Sequence, residues 1–169
     1  TLGCGGTLFK HLQDADELHW AIITSISEEN GWSSEAKERR ISEIDVVAKK
    51  YRFSSVHNLS LPSTQLDNLP LTNLIGKIKE VYEQVEPEII FMPFISDVHT
   101  DHQITARALQ STFKWFRYPY IKKILMYETP SETEFNFIEK NSFKPNVFVN
   151  ISKYLSDKLE TMKIYESEI

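Results

Sequence analysis

The segment Ser96-Asp97-Val98-His99-Thr100-Asp101-His102 gathers two imidazoles and two carboxylates within seven residues. Histidine is the commonest transition-metal ligand and the side chain best suited to proton transfer near neutral pH. His99 and His102 stand three apart, so they share one face once a helix has begun. A carboxylate between them, Asp101, can hold an imidazole in one tautomer and raise its basicity. Metal ligation and proton transfer are both open to such a segment, and so is a plain helix cap with solvated histidines. A catalytic zinc site takes about three protein ligands, and this segment offers one or two. His11, His19 and His57 show no ligand spacing, and His19, adjoining a strand, reads as a packing residue. Asp97, two residues before His99, receives no role.

Leu2-Gly3-Cys4-Gly5-Gly6-Thr7-Leu8 lets the backbone approach a ligand or a neighbouring element closely. As a dinucleotide fingerprint its spacing is wrong, so a tight turn into a closely packed helix is the simpler reading. Cys4 reads as a small buried residue. The charge-dense stretch from Glu35 to Glu43, with Arg39 and Arg40, reads as a solvated helix face carrying an i,i+3 ion pair. Tyr127-Glu128-Thr129-Pro130-Ser131 places polar and aromatic groups after a strand.

These groups need elements to position them. Leu71, Leu74, Ile75, Ile78, Val81, Tyr82 and Val85 recur at helical spacing and predict an amphipathic helix. Ile89-Ile90-Phe91-Met92-Pro93 predicts a strand buried on both faces, as in parallel sheets. Trp20 to Ile23 and Lys123 to Tyr127 read the same way. Ser55 to Leu61 alternates, as a strand nearer a sheet edge does, and Asn146 to Asn150 is a further short candidate. Ser33 or Ser34 can cap a helix to about Tyr51 with Ile41, Ile44, Val47 and Ala48 inward. Asp101 can cap another, to about Phe116, and the last helix is expected from Ile151 to about Ser167. Strands alternating with helices predict an α/β fold, a three-layer Rossmann-like sandwich on a mostly parallel sheet. In such sheets ligands sit beyond the carboxyl ends of the strands. The loops after Ile23, Phe91 and Tyr127 are therefore where chemistry is expected, and Tyr127 to Ser131 should line the same end as His99.

The 169 residues have the length of one domain able to bury a core, with 41% hydrophobic and 25% charged residues. That balance excludes a disordered, collagen-like or disulfide-stapled chain. A net charge of −5 argues against a nucleic-acid partner. No apolar run approaches the roughly 20 residues of a membrane span. The single Cys cannot form an intrachain disulfide, which favours a reducing compartment and makes the cytoplasm the expected location.

Taken together, the motifs resemble a known family. Thr1 to Leu8 resembles the segment that follows the His-Pro-Asp-Asp-Glu motif of the LmbE-like (PIG-L) zinc deacetylases. Asp97-Val98-His99-Thr100-Asp101-His102 resembles the family's second motif, His-x-Asp-His. Arg40-Ile41-Ser42-Glu43 resembles its Arg-x-x-Glu, and Tyr127 to Ser131 and Lys158 to Glu168 resemble later landmarks of a sugar-directed branch. The resemblance spans nearly the whole chain in the family's order. It implies an LmbE-like fold and zinc-dependent removal of an acetyl group from an N-acetylglucosamine-type sugar or its conjugate. By the same resemblance His102 is the third zinc ligand, and His99 acts as acid or stabilises the oxyanion. Asp101 orients histidine, and Arg40 contacts the substrate. Zinc in such a site activates water and polarises the amide carbonyl.

The His-Pro-Asp-Asp-Glu motif, which would supply two zinc ligands and the general base, is not in the sequence. The expectation is a single LmbE-like domain over residues 1–169, truncated at both ends, with the other ligands upstream of Thr1. Such a fragment alone is expected to be inactive. The alternative is a non-catalytic sugar- or nucleotide-binding domain that kept the fold. A Rossmann dinucleotide enzyme is the weakest reading. The expected partner is an N-acetylated amino sugar, and the oligomeric state stays open, a homo-oligomer included.

Overall fold

A computed structural model describes residues 3–136 and 139–166. The chain folds into two compact units, residues 1–63 with 146–169, and residues 64–145. All strand pairing among the described residues is parallel, as the continuous apolar runs predict.

In the first unit, strands β1 (His19–Ser25) and β2 (Ser55–Pro62) pair from His19 opposite Ser55 to Ser25 opposite Pro62, with an irregularity between Ile22 and Thr24. Helices α1 (Gly5–Gln13), α2 (Ser34–Lys50) and α5 (Leu155–Met162) belong to the same unit. Its core is Phe9, Val47 and Tyr51, with Leu8, Leu12, Trp20, Phe53 and Tyr154 packed around them. Phe9 stacks on Tyr51 with ring centroids 4.3 Å apart. Ser33 caps α2 by accepting the Ala36 amide at 3.2 Å.

The inner face of α2 differs from expectation. Ile41 is 52% exposed, and Glu43 is buried beside Val47. The 3.6-residue rotation that buries Val47 also carries Glu43, four positions earlier, inward. Asn146 to Asn150 form no strand. Phe148 is 82% exposed there, and an apolar run without a ladder partner has no reason to stay extended. The last helix stops at Met162, and the landmark residues Ser167 and Glu168 lie outside the described residues.

The Gly-rich turn does enter a closely packed helix. A Cβ on Gly5 would lie 2.5 Å from the buried Tyr51 hydroxyl, and one on Gly6 would lie 2.5 Å from Ile151 Cδ1 and 3.0 Å from its Cβ. Alanine improves helix propensity by about 1 kcal/mol over glycine, whereas overpacking costs about 1–3 kcal/mol. Gly6→Ala is therefore expected to destabilise by about 1 kcal/mol in denaturant unfolding, and a rise in the midpoint would contradict the close approach. Desolvation raises the nearby Cys4 thiol above its ordinary value, and its side chain is half-buried rather than buried as expected.

In the second unit, β3 (Ile89–Pro93) and β4 (Lys123–Tyr127) pair residue for residue, Ile89 opposite Lys123 and Pro93 opposite Tyr127. Helices α3 (Leu71–Val85) and α4 (Thr100–Thr112) pack together. Leu74, Ile78 and Tyr82 of α3 and Ala106, Ala108 and Leu109 of α4 are buried. Burial pushes the Tyr82 hydroxyl up to about 12, and it lies 3.2 Å from Thr112 Oγ1, whose own proton goes to Leu109 O at 2.6 Å. Helix α4 begins two residues earlier than expected: His99, not Asp101, is its cap, and it ends at Thr112 rather than near Phe116. No helix among the described residues is long and apolar enough to cross a membrane.

Candidate active site

The site grows from the turn between β3 and α4. Strand β3 delivers the chain to Pro93, and the next residues loop back so that Asp97 N–H donates to Phe94 O at 3.2 Å. His99 then starts α4 in extended backbone, its Nδ1 accepting the Asp101 amide at 3.1 Å. This use of an imidazole nitrogen as a cap satisfies one orphan donor of the first turn. It also fixes chemistry. With its lone pair on Nδ1, neutral His99 carries its proton on Nε2.

His102 is held the opposite way. Its Nδ1 lies 2.8 Å from Asp97 Oδ2, and Asp97 is fully buried. A carboxylate accepts, so Nδ1 bears the hydrogen and Nε2 the lone pair. The two rings stack with centroids 5.0 Å apart and planes at 27°. One ring thus offers an N–H donor at Nε2 and its neighbour a lone pair.

Asp101 does something different from the expected orienting of a histidine. Its carboxylate accepts the backbone amides of Thr64 at 2.7 Å and Leu66 at 3.3 Å, and it is buried. It therefore ties the segment before α3 to the first turn of α4. The carboxylate that faces an imidazole is Asp97, and its main-chain oxygen accepts Gln103 Nε2 at 2.6 Å. The sequence carries one signal for this: Asp97 and His102 are five apart across a helix start, close enough once the cap lies at His99.

The loop after β4 reaches the same place through Glu132 and Thr133, just beyond the expected Tyr127 to Ser131. Val98 N–H donates to Glu132 O at 3.4 Å. Thr133 Oγ1 donates to Asp97 Oδ1 at 2.5 Å and accepts the Thr129 amide at 2.8 Å.

Arg40 lies on α2 in the first unit. Its Nε stands 3.4 Å from Glu43 Oε2, the i,i+3 pair expected, and its guanidinium lies 5.1 Å from the Tyr165 ring centroid. Glu43 is buried, so this pair is less a solvated one than the charge density suggests. His19 and His57 also meet in that unit. Ser55 Oγ is 2.8 Å from His19 Nδ1 and 2.7 Å from His57 Nε2, so exposed His19 is hydrogen-bonded rather than packed. Strand register, His19 opposite Ser55 and His57 two residues on, brings these together.

A zinc ion fits His102 by itself: Nδ1 is anchored to a carboxylate, as metal-ligating imidazoles are, and Nε2 is left to bind. It does not fit a complete ligand set. Among the described residues no group of three or more His, Cys, Asp or Glu could hold a metal.

A parallel α/β protein with a paired-histidine turn at the carboxyl end of a strand is the class that fold and geometry define. The chain belongs to the family PIG-L: GlcNAc-PI de-N-acetylase, which residues 1–113 match. That stretch includes Arg40, Asp97, His99, Asp101 and His102. Among solved structures it is similar to a conserved protein from Thermus thermophilus, at 20% identity and TM-score 0.76, covering 99% of this chain and 74% of that one. It is also similar to the N,N'-diacetylchitobiose deacetylase from Pyrococcus horikoshii, at 18% identity and TM-score 0.76, covering 99% and 66%. A third likeness is to the 4-carboxy-2-hydroxymuconate hydratase from Pseudomonas putida, at 15% identity and TM-score 0.67, covering 97% and 72%. Identities this low establish a shared LmbE-like fold, and a deacetylase and a hydratase on one fold leave the reaction to the site.

Proposed function

We propose that the protein is a hydrolase that removes the acetyl group from an N-acetylglucosamine-type sugar or its conjugate. The observation that carries this reading is the stacked His99–His102 pair, tuned to opposite tautomers, in a chain of the de-N-acetylase family. Amide hydrolysis needs a donor where the carbonyl oxygen becomes negative, and His99 Nε2–H supplies one. His102 Nε2 serves as a zinc ligand, with Asp97 holding its proton on the far nitrogen. The remaining ligands and the general base lie beyond the described residues. Asp101 keeps the turn in shape, and a substrate-contact role for Arg40 is proposed on the family resemblance alone. The reaction runs in a reducing compartment, the cytoplasm, where Cys4 stays a thiol.

The test is acetate release from N-acetylglucosamine and its conjugates by the full-length protein, with and without a chelator. Turnover that a chelator stops and zinc restores is the expected result. Turnover indifferent to chelation would remove zinc from the proposal, and absence of acetate from every acetylated sugar would remove the hydrolase. A second reading, a sugar- or nucleotide-binding domain without catalysis, draws on the incomplete ligand set among the described residues. Sugar binding by calorimetry with no acetate released would favour it.

A further inference from the structure

Thr133 lies on the loop after β4, 36 residues from Asp97 in sequence, and is only 3% exposed. A hydroxyl has one proton to give. The Thr129 amide already donates to Thr133 Oγ1, so that proton goes to Asp97 Oδ1. The loop is closed behind it by Thr133 N–H and Glu132 N–H, which donate to Thr129 O at 2.8 and 2.9 Å. Asp97 then accepts Thr133 on one oxygen and His102 on the other, with no exposure to water. Every group in the chain Thr129–Thr133–Asp97–His102 has its donor direction set by the group before it.

We infer that Thr133 is a positioning residue, which through Asp97 locks His102 in the Nδ1–H tautomer with the Nε2 lone pair presented. The carboxylate has two oxygens and two side-chain donors. Without the hydroxyl, Oδ1 is buried with no side-chain donor and the carboxylate turns to find one, releasing Nδ1. The order of the Thr129–Thr133 loop is thereby written into one imidazole. The catalytic side of this inference rests on the deacetylase reading, and its structural side does not.

Long-range 1H–15N spectra of histidine-labelled, metal-free protein at one fixed pH read the tautomer directly. Wild-type His102 is expected to give the Nδ1–H pattern. Thr133→Val is expected to convert it to a mixture of tautomers, and Thr133→Ser, which keeps the hydroxyl, to restore the single pattern. In the acetate assay Thr133→Val is expected to lower kcat about 10- to 100-fold, the usual cost of losing an outer partner of a ligand, with KM changed less than about twofold. Thr133→Ser should recover most of that loss. A folded Thr133→Val that keeps the wild-type tautomer would overturn the inference, as would an Nε2–H pattern for His102 in the wild type. Should the valine variant fail to fold, Thr133→Ala takes its place, and the wild-type spectrum alone can still refute the lock. If no acetylated sugar is turned over, the deacetylase reading falls while the tautomer comparison still decides the role of Thr133.

Discussion

His102→Ala is expected to abolish acetate release, by about 10³-fold or more, since three decades of rate correspond to about 4 kcal/mol of lost transition-state stabilisation. The same change should lower stability through Asp97 rather than through lost packing. The His102 side chain is 33% exposed, so little apolar area is lost. Its main structural effect is on Asp97, which loses one of two side-chain partners and leaves a buried oxygen unsatisfied, a loss of about 1–3 kcal/mol. Asp97→Asn is the informative companion. The amide keeps the volume but has a single acceptor oxygen. It can accept from Thr133 or from His102, and its NH2 must oppose the other. The expected loss is about 10- to 100-fold in turnover, the range for outer partners of ligating histidines. Steady-state kinetics and denaturant melts on both variants separate the effects: His102→Ala should be the worse enzyme and Asp97→Asn at least as poor a fold. An Asp97→Asn protein with wild-type turnover would show that the carboxylate does not govern the imidazole.

The second large effect concerns stability. Asp101→Ala removes the acceptor for the Thr64 and Leu66 amides, at 2.7 and 3.3 Å from its carboxylate. A buried donor left without its partner costs about 1–3 kcal/mol; that applies in full to buried Leu66 and less to exposed Thr64, so the expected loss is about 2 kcal/mol in denaturant unfolding. Asp101→Asn keeps one acceptor oxygen and should lose about half as much. Hydrogen exchange gives the local check, because protection of the Thr64 and Leu66 amides should collapse in Asp101→Ala. Unchanged protection would mean that something other than Asp101 holds the segment before α3.

These two carboxylates mark where the sequence could be read and where it could not. The strands around Phe91 and Leu125 follow from continuous apolar runs, although Ile124 and Met126 of the second are exposed rather than buried on both faces as expected. The helix from Leu71 to Val85 follows from apolar period, because burial against one helix face imprints that period directly. His99 and His102 stand out by residue type. The division of labour between Asp97 and Asp101 depends on where α4 begins, and helix ends are set by which group happens to reach the first free amides. An imidazole did so here, moving the start to His99 and turning Asp101 inward to the Thr64 segment. Thr133 was invisible for a different reason: its partner is 36 residues away, and only the folded loop after β4 joins them. Asn146 to Asn150 has the short apolar run of a strand, but such a run cannot report whether a neighbour is there to pair with.

The double employment of His99 has an evolutionary side. The start of α4 requires only an acceptor at that position, and serine, asparagine or aspartate would serve as well. A gene that drifts to one of them loses its proton donor while the helix still starts in register and the Asp101 latch stays in place. Chemistry and architecture can therefore part company at a single codon. Under the proposed deacetylase reading, descendants that bind a sugar without cleaving it are one substitution away from this protein.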